Sequence, residues 1–179
     1  MTRRDVLRSA LSLPLLGAGF AAPAADLMPI LRAPHWLGER PAATRLRGRI
    51  VLVDVFTFEC INCVRVTPNL KALYAMYPRS ELEIVAVHTP EVPSYQGRIA
   101  YLARRTREAA LPWPIAIDND YAIWNAYKVS AWPTQLIFDR TGRLQTTIVG
   151  DGRDGDVNDA VRMAVRSGSG TGTKGRVSL

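Results

Sequence analysis

The apolar residues of the chain follow two alternating patterns, continuous β-branched runs and stripes with helical spacing. Residues 50–56 form a continuous run, as is typical of a strand buried on both faces, and residues 82–88 form a second. Between them, apolar side chains recur every three or four residues from Val66 to Tyr77, until Pro78 ends the repeat. This part of the chain therefore predicts a strand, a helix and a second strand.

The rest of the chain continues the alternation. We predict a helix marked by Tyr95, Ile99, Leu102 and Ala109, a strand over 114–117, a helix over 121–127, strands over 134–138 and 143–149, and a closing helix over 156–166. Asp-Arg-Thr-Gly at 139–142 joins the last two strands, with glycine where a positive φ is favoured. The order of elements predicts an α/β fold, a three-layer α/β/α sandwich around a mixed central sheet.

The amino terminus has the composition of a targeting signal. Arg3, Arg4 and Arg8 precede an apolar stretch that ends at a small-x-small site over residues 22–24. The arginine pair favours twin-arginine export over ordinary secretion. The stretch is too short to cross the ~30 Å hydrocarbon layer comfortably. We therefore predict a signal peptide over 1–24, a periplasmic or other extracytoplasmic protein, and no permanent membrane span after cleavage.

Three further segments follow the predicted signal. Residues 25–48 are rich in proline and arginine and are interpreted as an N-terminal extension, pinned to the domain by Trp36. Residues 49–166 contain the predicted strands and helices and form one domain. Residues 167–179 are rich in glycine, serine and threonine without apolar periodicity, so we predict a disordered tail.

Composition excludes two classes of function. With 47% hydrophobic residues and a mean hydropathy of −0.02, the chain has enough apolar residues for a core but is not a polytopic membrane protein. The formal net charge is +7, and much of it lies in the two terminal segments. No run of basic residues is interleaved with aromatic ones, so we do not expect nucleic-acid binding.

The chain has two cysteines, Cys60 and Cys63, at the predicted junction of a strand and a helix. A structural zinc site needs four ligands, and His35 and His88 lie far away without metal-binding spacing, so we expect no metal. A structural disulfide between residues three apart would close too small a loop to restrain the unfolded chain. A redox-active disulfide, which needs no added cofactor, fits the pair better.

The redox interpretation has a physical basis in the position of the pair. At the first turn of a helix, Cys60 faces N–H groups and the positive end of the helix dipole, which favour the thiolate over the thiol. The thiolate is the attacking species in disulfide exchange. Cys63, one helical turn further on, lies within reach to resolve a mixed disulfide.

The residues around this pair resemble a known family. Val-Asp-Val-Phe-Thr-Phe-Glu-Cys-Ile-Asn-Cys at 53–63, followed by Arg65 and Pro68, is similar to the strand, turn and active site of the TlpA/DipZ-like thioredoxin-fold thiol–disulfide oxidoreductases. Residues 88–91, 118–121 and 124–127 are also similar to segments at the corresponding positions of that group. The resemblance extends over 41–166. It implies a thioredoxin-like fold and an exported enzyme of reductive pathways, with cytochrome c maturation as one of them, and the departures at Glu59 and Trp132 favour a dedicated envelope partner. A membrane thiol transporter is then expected as the electron donor.

The resemblance also assigns roles outside the cysteine pair. Asp54 stands where the family buries a carboxylate beneath the second cysteine, and a raised pKa would let it accept the proton of Cys63. The alternative is that Asp54 is a strand-end aspartate that only forms hydrogen bonds with nearby backbone. Trp132, Pro133 and Thr134 correspond to the loop whose cis-proline faces the disulfide and whose backbone binds an extended protein substrate.

The chain departs from the family pattern at several positions, among them Ala131, where many relatives have glycine. Thioredoxins usually have tryptophan at the position of Glu59, where a negative charge opposes thiolate formation unless it points to solvent. Trp132 is large, and it either narrows the substrate groove or forms an apolar wall for a partner. The Ile61-Asn62 pair contains no histidine, and this absence favours a reductant over a strong oxidant.

Two other functions stay open at this level. Thr57 and Cys60 also have the T-x-x-C spacing of peroxiredoxins, although Val53 replaces the proline expected in a thiol peroxidase. A copper- or haem-delivery protein could hold copper(I) through the two thiolates. No methionine cluster accompanies them, since Met28, Met76 and Met163 are scattered along the chain.

Overall fold

The computed structural model describes residues 26–92 and 97–169. The predicted signal peptide over 1–24, Tyr95 and most of the predicted tail lie outside these residues. Within the described residues, six strands form one sheet in the order β1-β4-β3-β2-β5-β6. The strands are β1 His35–Leu37, β2 Ile50–Phe56, β3 Leu82–His88, β4 Ile115–Ile117, β5 Thr134–Phe138 and β6 Leu144–Val149.

The sheet is mixed, as predicted. Strands β2, β3 and β4 run parallel, whereas β5 runs antiparallel to β2, β6 to β5 and β1 to β4. The helices of the described residues are α1 Met28–Leu31, α2 Ala43–Leu46, α3 Ile61–Met76, α4 Ile99–Glu108, α5 Ala122–Ala126 and α6 Asp154–Ser169. None of them is long and apolar enough to cross a membrane within the described part of the chain.

Helices cover both faces of the sheet and enclose two apolar cores. Residues of α3, α4 and α6 pack against one face, and residues of α1, α2 and α5 against the other. The predicted three-layer α/β/α sandwich is therefore confirmed. Because both faces are covered, every residue of β2 and β3 is buried, and this explains why their sequences are mostly apolar.

The alternation of side chains along β2 places one polar group in the core. Leu52 and Phe56 face the layer that contains α3, whereas Val53 and Val55 face the opposite layer. Strand side chains alternate with a period of two, so Asp54 shares the face of Leu52 and Phe56. The strand thus directs a carboxyl group toward the helix that carries the cysteines.

Two regions differ from the sequence-based expectations. The predicted extension contributes β1, in which Trp36 pairs with Ala116 at the edge of the sheet. Helix α6 continues to Ser169, so the predicted disordered tail does not begin at residue 167. The Ser167 hydroxyl donates to the Met163 carbonyl at 2.9 Å. Gly168 lies within this helix, although glycine in a helix costs about 1 kcal/mol relative to alanine.

Candidate active site

Cys60 lies where the end of β2 turns into α3. It is the N-cap of the helix, with extended backbone (φ −82°, ψ 112°), and its carbonyl accepts the N–H groups of Cys63 and Val64 at 3.1 and 3.2 Å. Its side chain is half-buried. The expected position at the first turn of a helix is therefore observed. A sulfur at this position is reachable by a partner and faces the positive end of the helix dipole.

Cys63 lies one turn into the same helix and differs sharply in environment. Its side chain is only 3% exposed. Burial raises the pKa of the Cys63 thiol well above its usual range, and the nearby charge of Asp54 raises it further, whereas a hydrogen bond with the backbone of Thr57 acts in the opposite direction. The two sulfurs are not bonded to each other in this structure. The pair therefore combines an accessible sulfur with an enclosed thiol that holds its proton firmly.

Asp54 is buried behind Cys63, and its partner is an amide. It is 4% exposed and pairs directly with Gln135 on the neighbouring strand, whose Nε2 donates to Asp54 Oδ1 at 2.9 Å. Burial raises the pKa of Asp54 to about 7, although the hydrogen bond from Gln135 partly opposes this shift. A carboxyl group with this pKa changes protonation state near neutral pH, as a proton acceptor for a thiol requires.

The loop before β5 faces Cys60. The Trp132–Pro133 peptide bond is cis, as the resemblance implied. The Cys60 thiol contacts the carbonyl oxygen of Trp132, with 3.8 Å between sulfur and oxygen. The carbonyl of Pro133 accepts the N–H of Gly150 at 2.8 Å, which fixes the loop to the end of β6. A backbone carbonyl is thus held beside the accessible sulfur.

Trp132 forms an aromatic surface beside this loop. Its ring lies 4.4 Å from that of Trp124 between centroids, and both side chains are half-buried. Both expectations for Trp132, a narrowed groove and an apolar wall, stay predictions. Thr134 lies deeper: it is fully buried in β5, and its hydroxyl donates to the Ala131 carbonyl at 2.7 Å. The structure therefore brings Trp132 and Pro133 to Cys60, whereas the Thr134 side chain secures the loop from within.

Glu59 adopts a position that the sequence did not indicate. Its side chain is 18% exposed, and it turns toward α4 rather than into solvent. Arg105 lies 3.1 Å from one carboxylate oxygen, and the hydroxyl of Tyr101 donates to the same oxygen. Thr57 donates to the other oxygen at 3.1 Å. The carboxylate beside Cys60 therefore has a cation and two hydroxyl groups as partners.

His88 is another buried polar group close to the site. Its ring stacks on Phe58 with 5.6 Å between centroids, and its Nε2 lies 3.4 Å from the Thr57 hydroxyl oxygen. Burial lowers the pKa of His88 to about 4, so the imidazole is neutral at neutral pH. Within the described residues, no group of three or more His, Cys, Asp or Glu side chains is arranged to hold a metal ion.

Sequence reasoning missed Gln135, His88, Tyr101 and Arg105. Gln135 comes directly after Thr134, the last residue of the predicted loop, and it pairs with Asp54 in the sheet. Its proximity to the loop in the sequence could therefore have indicated it. Arg105 is one of three arginines in α4, and nothing in the local sequence distinguishes it from Arg104 or Arg107. Only the packing of α4 against the turn before Cys60 selects it.

The fold and the site together define a class: a thioredoxin-fold protein with a dithiol at a helix N-terminus facing a cis-proline. A thioredoxin-like family model matches residues 48–144. The chain belongs to this thioredoxin-like family.

The chain is similar to several known proteins. It is 35% identical over 121 residues to "Protein DipZ" of Mycobacterium bovis, a match that covers 65% of this chain and 17% of that protein. It is 29% identical over 113 residues to "Thiol-disulfide oxidoreductase ResA" of Geobacillus thermodenitrificans, covering 63% of this chain and 62% of that protein. A thiol-disulfide isomerase from Corynebacterium glutamicum shares the fold, with 20% identity and a TM-score of 0.67 over 74% of this chain and 92% of that one. The chain thus spans less than two thirds of the DipZ and ResA proteins.

Proposed function

We propose that this protein is an exported reductant that transfers two electrons from its dithiol to a disulfide of a dedicated protein partner in the cell envelope. The observation that carries the proposal is the asymmetry of the pair, in which Cys60 is half-buried beside the Trp132 carbonyl and Cys63 is enclosed near Asp54. An accessible sulfur suits attack, and an enclosed thiol suits resolution.

In the first step, Cys60 acts as a thiolate. It attacks one sulfur of the partner's disulfide, so that a Cys60–partner disulfide forms and the partner's own S–S bond breaks. The departing sulfur leaves as a thiolate and takes a proton from solvent. The carbonyl of Trp132 and the cis-Pro133 loop offer backbone groups to an extended partner segment. The surface of Trp132 and Trp124 suits apolar residues of that segment.

In the second step, Cys63 resolves the intermediate. Its thiol proton passes to the Asp54 carboxylate while its sulfur attacks Cys60, which forms the Cys60–Cys63 disulfide and releases the second partner sulfur as a thiolate. That thiolate takes up a proton, and Asp54 later returns its own proton to solvent. The partner gains two electrons and two protons, and the dithiol loses them. A pKa of about 7 makes Asp54 suited to this transfer at neutral pH.

The direction and the location of the reaction complete the proposal. Absence of a histidine between the cysteines favours a reductant. The basic and apolar residues of the first 24 positions favour export, by the twin-arginine route. A reduced dithiol outside the cytoplasm needs a source of electrons, for which we propose a membrane thiol transporter. Maturation of c-type cytochromes, where disulfides must be reduced in the envelope, is the proposed pathway.

The experiment combines reduction of a disulfide-bonded unfolded protein with trapping of partners in the cell envelope. We expect Cys60→Ser to lower the reduction rate at least about a hundredfold, because the nucleophile is lost. Cys63→Ser retains the nucleophile and should accumulate a mixed disulfide with its natural partner. The two variants are matched controls for each other, since both remove one sulfur and only one of them should trap a partner.

Other outcomes would contradict the proposal. Peroxide consumption that survives in Cys63→Ser, without reduction of disulfides, would indicate a thiol peroxidase. Stoichiometric, tight copper binding by the reduced protein without reductase activity would indicate metal delivery. A protein that stays reduced in cells without any membrane thiol transporter would refute the proposed electron donor, and a leader that leaves the protein in the cytoplasm would refute export.

A further inference from the structure

The carboxylate of Glu59 is directly adjacent in sequence to the reactive cysteine. Both of its oxygens are engaged: Oε1 lies 3.1 Å from Arg105 Nη1, and Oε2 accepts the Thr57 hydroxyl at 3.1 Å. The hydroxyl of Tyr101 also donates to Oε1. These contacts hold the carboxylate toward α4, away from the solvent-facing orientation that an unpaired surface glutamate adopts.

Arg105 also holds the backbone of the same turn. Its Nη2 donates to the carbonyl oxygen of Phe58 at 3.1 Å, and its guanidinium lies 5.2 Å from the centroid of the Phe58 ring. One planar group therefore contacts the main chain two residues before Cys60 and the side chain one residue before it. Such a two-point contact needs the planar fork of arginine, which lysine cannot reproduce with a single ammonium group.

The charge of Arg105 has a consequence for the sulfur. A carboxylate beside Cys60 opposes formation of a second negative charge on the thiol. A cation bonded to that carboxylate offsets this effect, because the residue directly before Cys60 then belongs to a nearly neutral ion pair. Arg105 is 30% exposed and Glu59 is 18% exposed, so solvent screens this pair less than a fully exposed one. The only other acidic partner of Arg105 within the described residues is Glu108, at 3.6 Å.

We infer that Arg105 is a positioning residue for the dithiol: it fixes the turn before Cys60 and neutralises Glu59, so that Cys60 can react as a thiolate. The inference rests on the proposed thiol–disulfide function and adds to it a residue outside the motif. It also explains how this chain tolerates a glutamate directly before its nucleophile.

The test measures the rate at which iodoacetamide alkylates Cys60 in the reduced protein at neutral pH. We expect Arg105→Gln to slow this alkylation about threefold to tenfold, because Glu59 is left without its cation. Glu59→Gln should accelerate it about twofold to threefold, since Arg105 then acts on the sulfur without an opposing charge. The double variant Glu59→Gln with Arg105→Gln should return to within about twofold of the unmodified protein, because both charges are removed together.

Two further variants separate charge from packing. Arg105→Lys keeps the charge but loses the fork, so we expect a rate between those of Arg105→Gln and the unmodified protein. Arg104→Gln is the matched control, because Arg104 neighbours Arg105 on α4 but is 60% exposed and pairs with Glu108. The rate of Cys60 alkylation in Arg104→Gln should equal that of the unmodified protein. Thermal unfolding of each variant identifies any that has lost its fold.

Two results would overturn the inference. One is an Arg105→Gln protein that is folded and alkylated as fast as the unmodified protein. The other is a double variant that is as slow as Arg105→Gln, since a purely structural role would not be relieved by removal of Glu59. If Arg105→Gln does not fold, an unchanged or slower alkylation of Cys60 in Glu59→Gln overturns the inference instead. A reduced protein that reduces no disulfide, yet shows the expected alkylation pattern, would refute the proposed function alone.

Discussion

Two carboxyl groups flank the same dithiol, and their surroundings are opposite. Asp54 lies behind Cys63, 4% exposed, with the neutral amide of Gln135 as its side-chain partner. Glu59 lies before Cys60, 18% exposed, with the cation of Arg105 as its partner. Burial beside an amide raises the pKa of Asp54 to about 7. The carboxylate of Glu59 is instead held as one half of an ion pair.

The difference indicates that burial and the charge of the partner, more than proximity to sulfur, distinguish the two carboxyl groups of this site. A buried carboxyl without a cation can accept and release a proton near neutral pH. A carboxylate bonded to a guanidinium carries a fixed charge and serves as an anchor for the turn. In the proposed mechanism, the inner half of the site, Asp54 and Cys63, transfers a proton, and the outer half, Glu59 and Cys60, holds the nucleophile in position.

The first prediction tests the contrast between the two sulfurs themselves. In the reduced protein at about pH 8, iodoacetamide should modify Cys60 at least about a thousandfold faster than Cys63, because only thiolates react and the raised pKa of Cys63 leaves almost none. Mass spectrometry of peptides from a time course measures both rates. Comparable rates would show that Cys63 is neither enclosed nor held as a thiol. The distinction between an accessible Cys60 and an enclosed Cys63 would then be wrong.

The second prediction concerns the cost of the buried carboxyl. The pKa of Asp54 rises on folding from 3.8 to about 7, so its contribution to stability is fully present below pH 3.8 and is lost as the pH rises through about 7. Asp54→Asn removes the ionisable group. It should therefore stabilise the protein above neutral pH, by about 4 kcal/mol at most, and have little effect at about pH 4.

Denaturant unfolding at about pH 4 and about pH 8 measures this effect. Asp159→Asn serves as the control, because that side chain is 59% exposed on α6 and should show no such pH dependence. Reductase activity should change in the opposite direction, since the variant lacks the proposed proton acceptor for Cys63. A variant that is no more stable than the unmodified protein at high pH would show that Asp54 is ionised without cost.

The sequence predicted the inner half of the site better than the outer half. Asp54 and Cys63 lie within ten residues of each other, on a strand and a helix whose apolar periods are unambiguous. The family resemblance therefore indicated where Asp54 would lie, whereas its role as a proton acceptor stays a prediction. Glu59, in contrast, takes its direction from Arg105, 46 residues away on a helix with three arginines. No local pattern identifies such a partner before the packing of α4 is known.

The fold shows the same division between local and distant information. Long elements such as β2, α3 and β3 were predicted because their side-chain periods extend over many residues. Strand β1 was missed because it has three residues, and its partners lie at 115–117, far along the chain. The predicted end of α6 was also wrong, since Ser167 and the two residues after it have low helix propensity but lie within the helix, where the Ser167 hydroxyl donates to the Met163 carbonyl.

The third prediction tests the amide that accompanies the inner carboxyl. Gln135→Leu removes the donor to Asp54 and should raise the pKa of Asp54 further, because a hydrogen bond to a charged group contributes about 1.5–3 kcal/mol. Titration of the Asp54 carboxyl by NMR measures the change. The Cys63-dependent step should shift toward higher pH by the same amount.

Gln145 provides a matched control for this prediction. Its Nε2 also donates to an aspartate, Asp139 Oδ2, at 2.8 Å, but on the exposed surface of β6. Gln145→Leu should leave the titration of Asp54 unchanged. If Gln135→Leu also leaves it unchanged, or lowers the pKa of Asp54, the amide does not stabilise the carboxylate and the inner half of the site depends on burial alone.

The smallest expected effect concerns a second ion pair near Cys60, between Arg65 and Asp151. Their charged atoms lie 3.2 Å apart, as close as those of Arg105 and Glu59, but the Arg65 side chain is 62% exposed. Solvent screens this pair, and Arg65→Ala should cost no more than about 0.5 kcal/mol in unfolding free energy, with alkylation of Cys60 unchanged. A double-mutant cycle with Asp151→Ala isolates the pair from other effects. If Arg65→Ala slowed Cys60 as much as Arg105→Gln does, any cation near the motif would suffice, and the distinction between an anchored and a solvated pair would lose its physical basis.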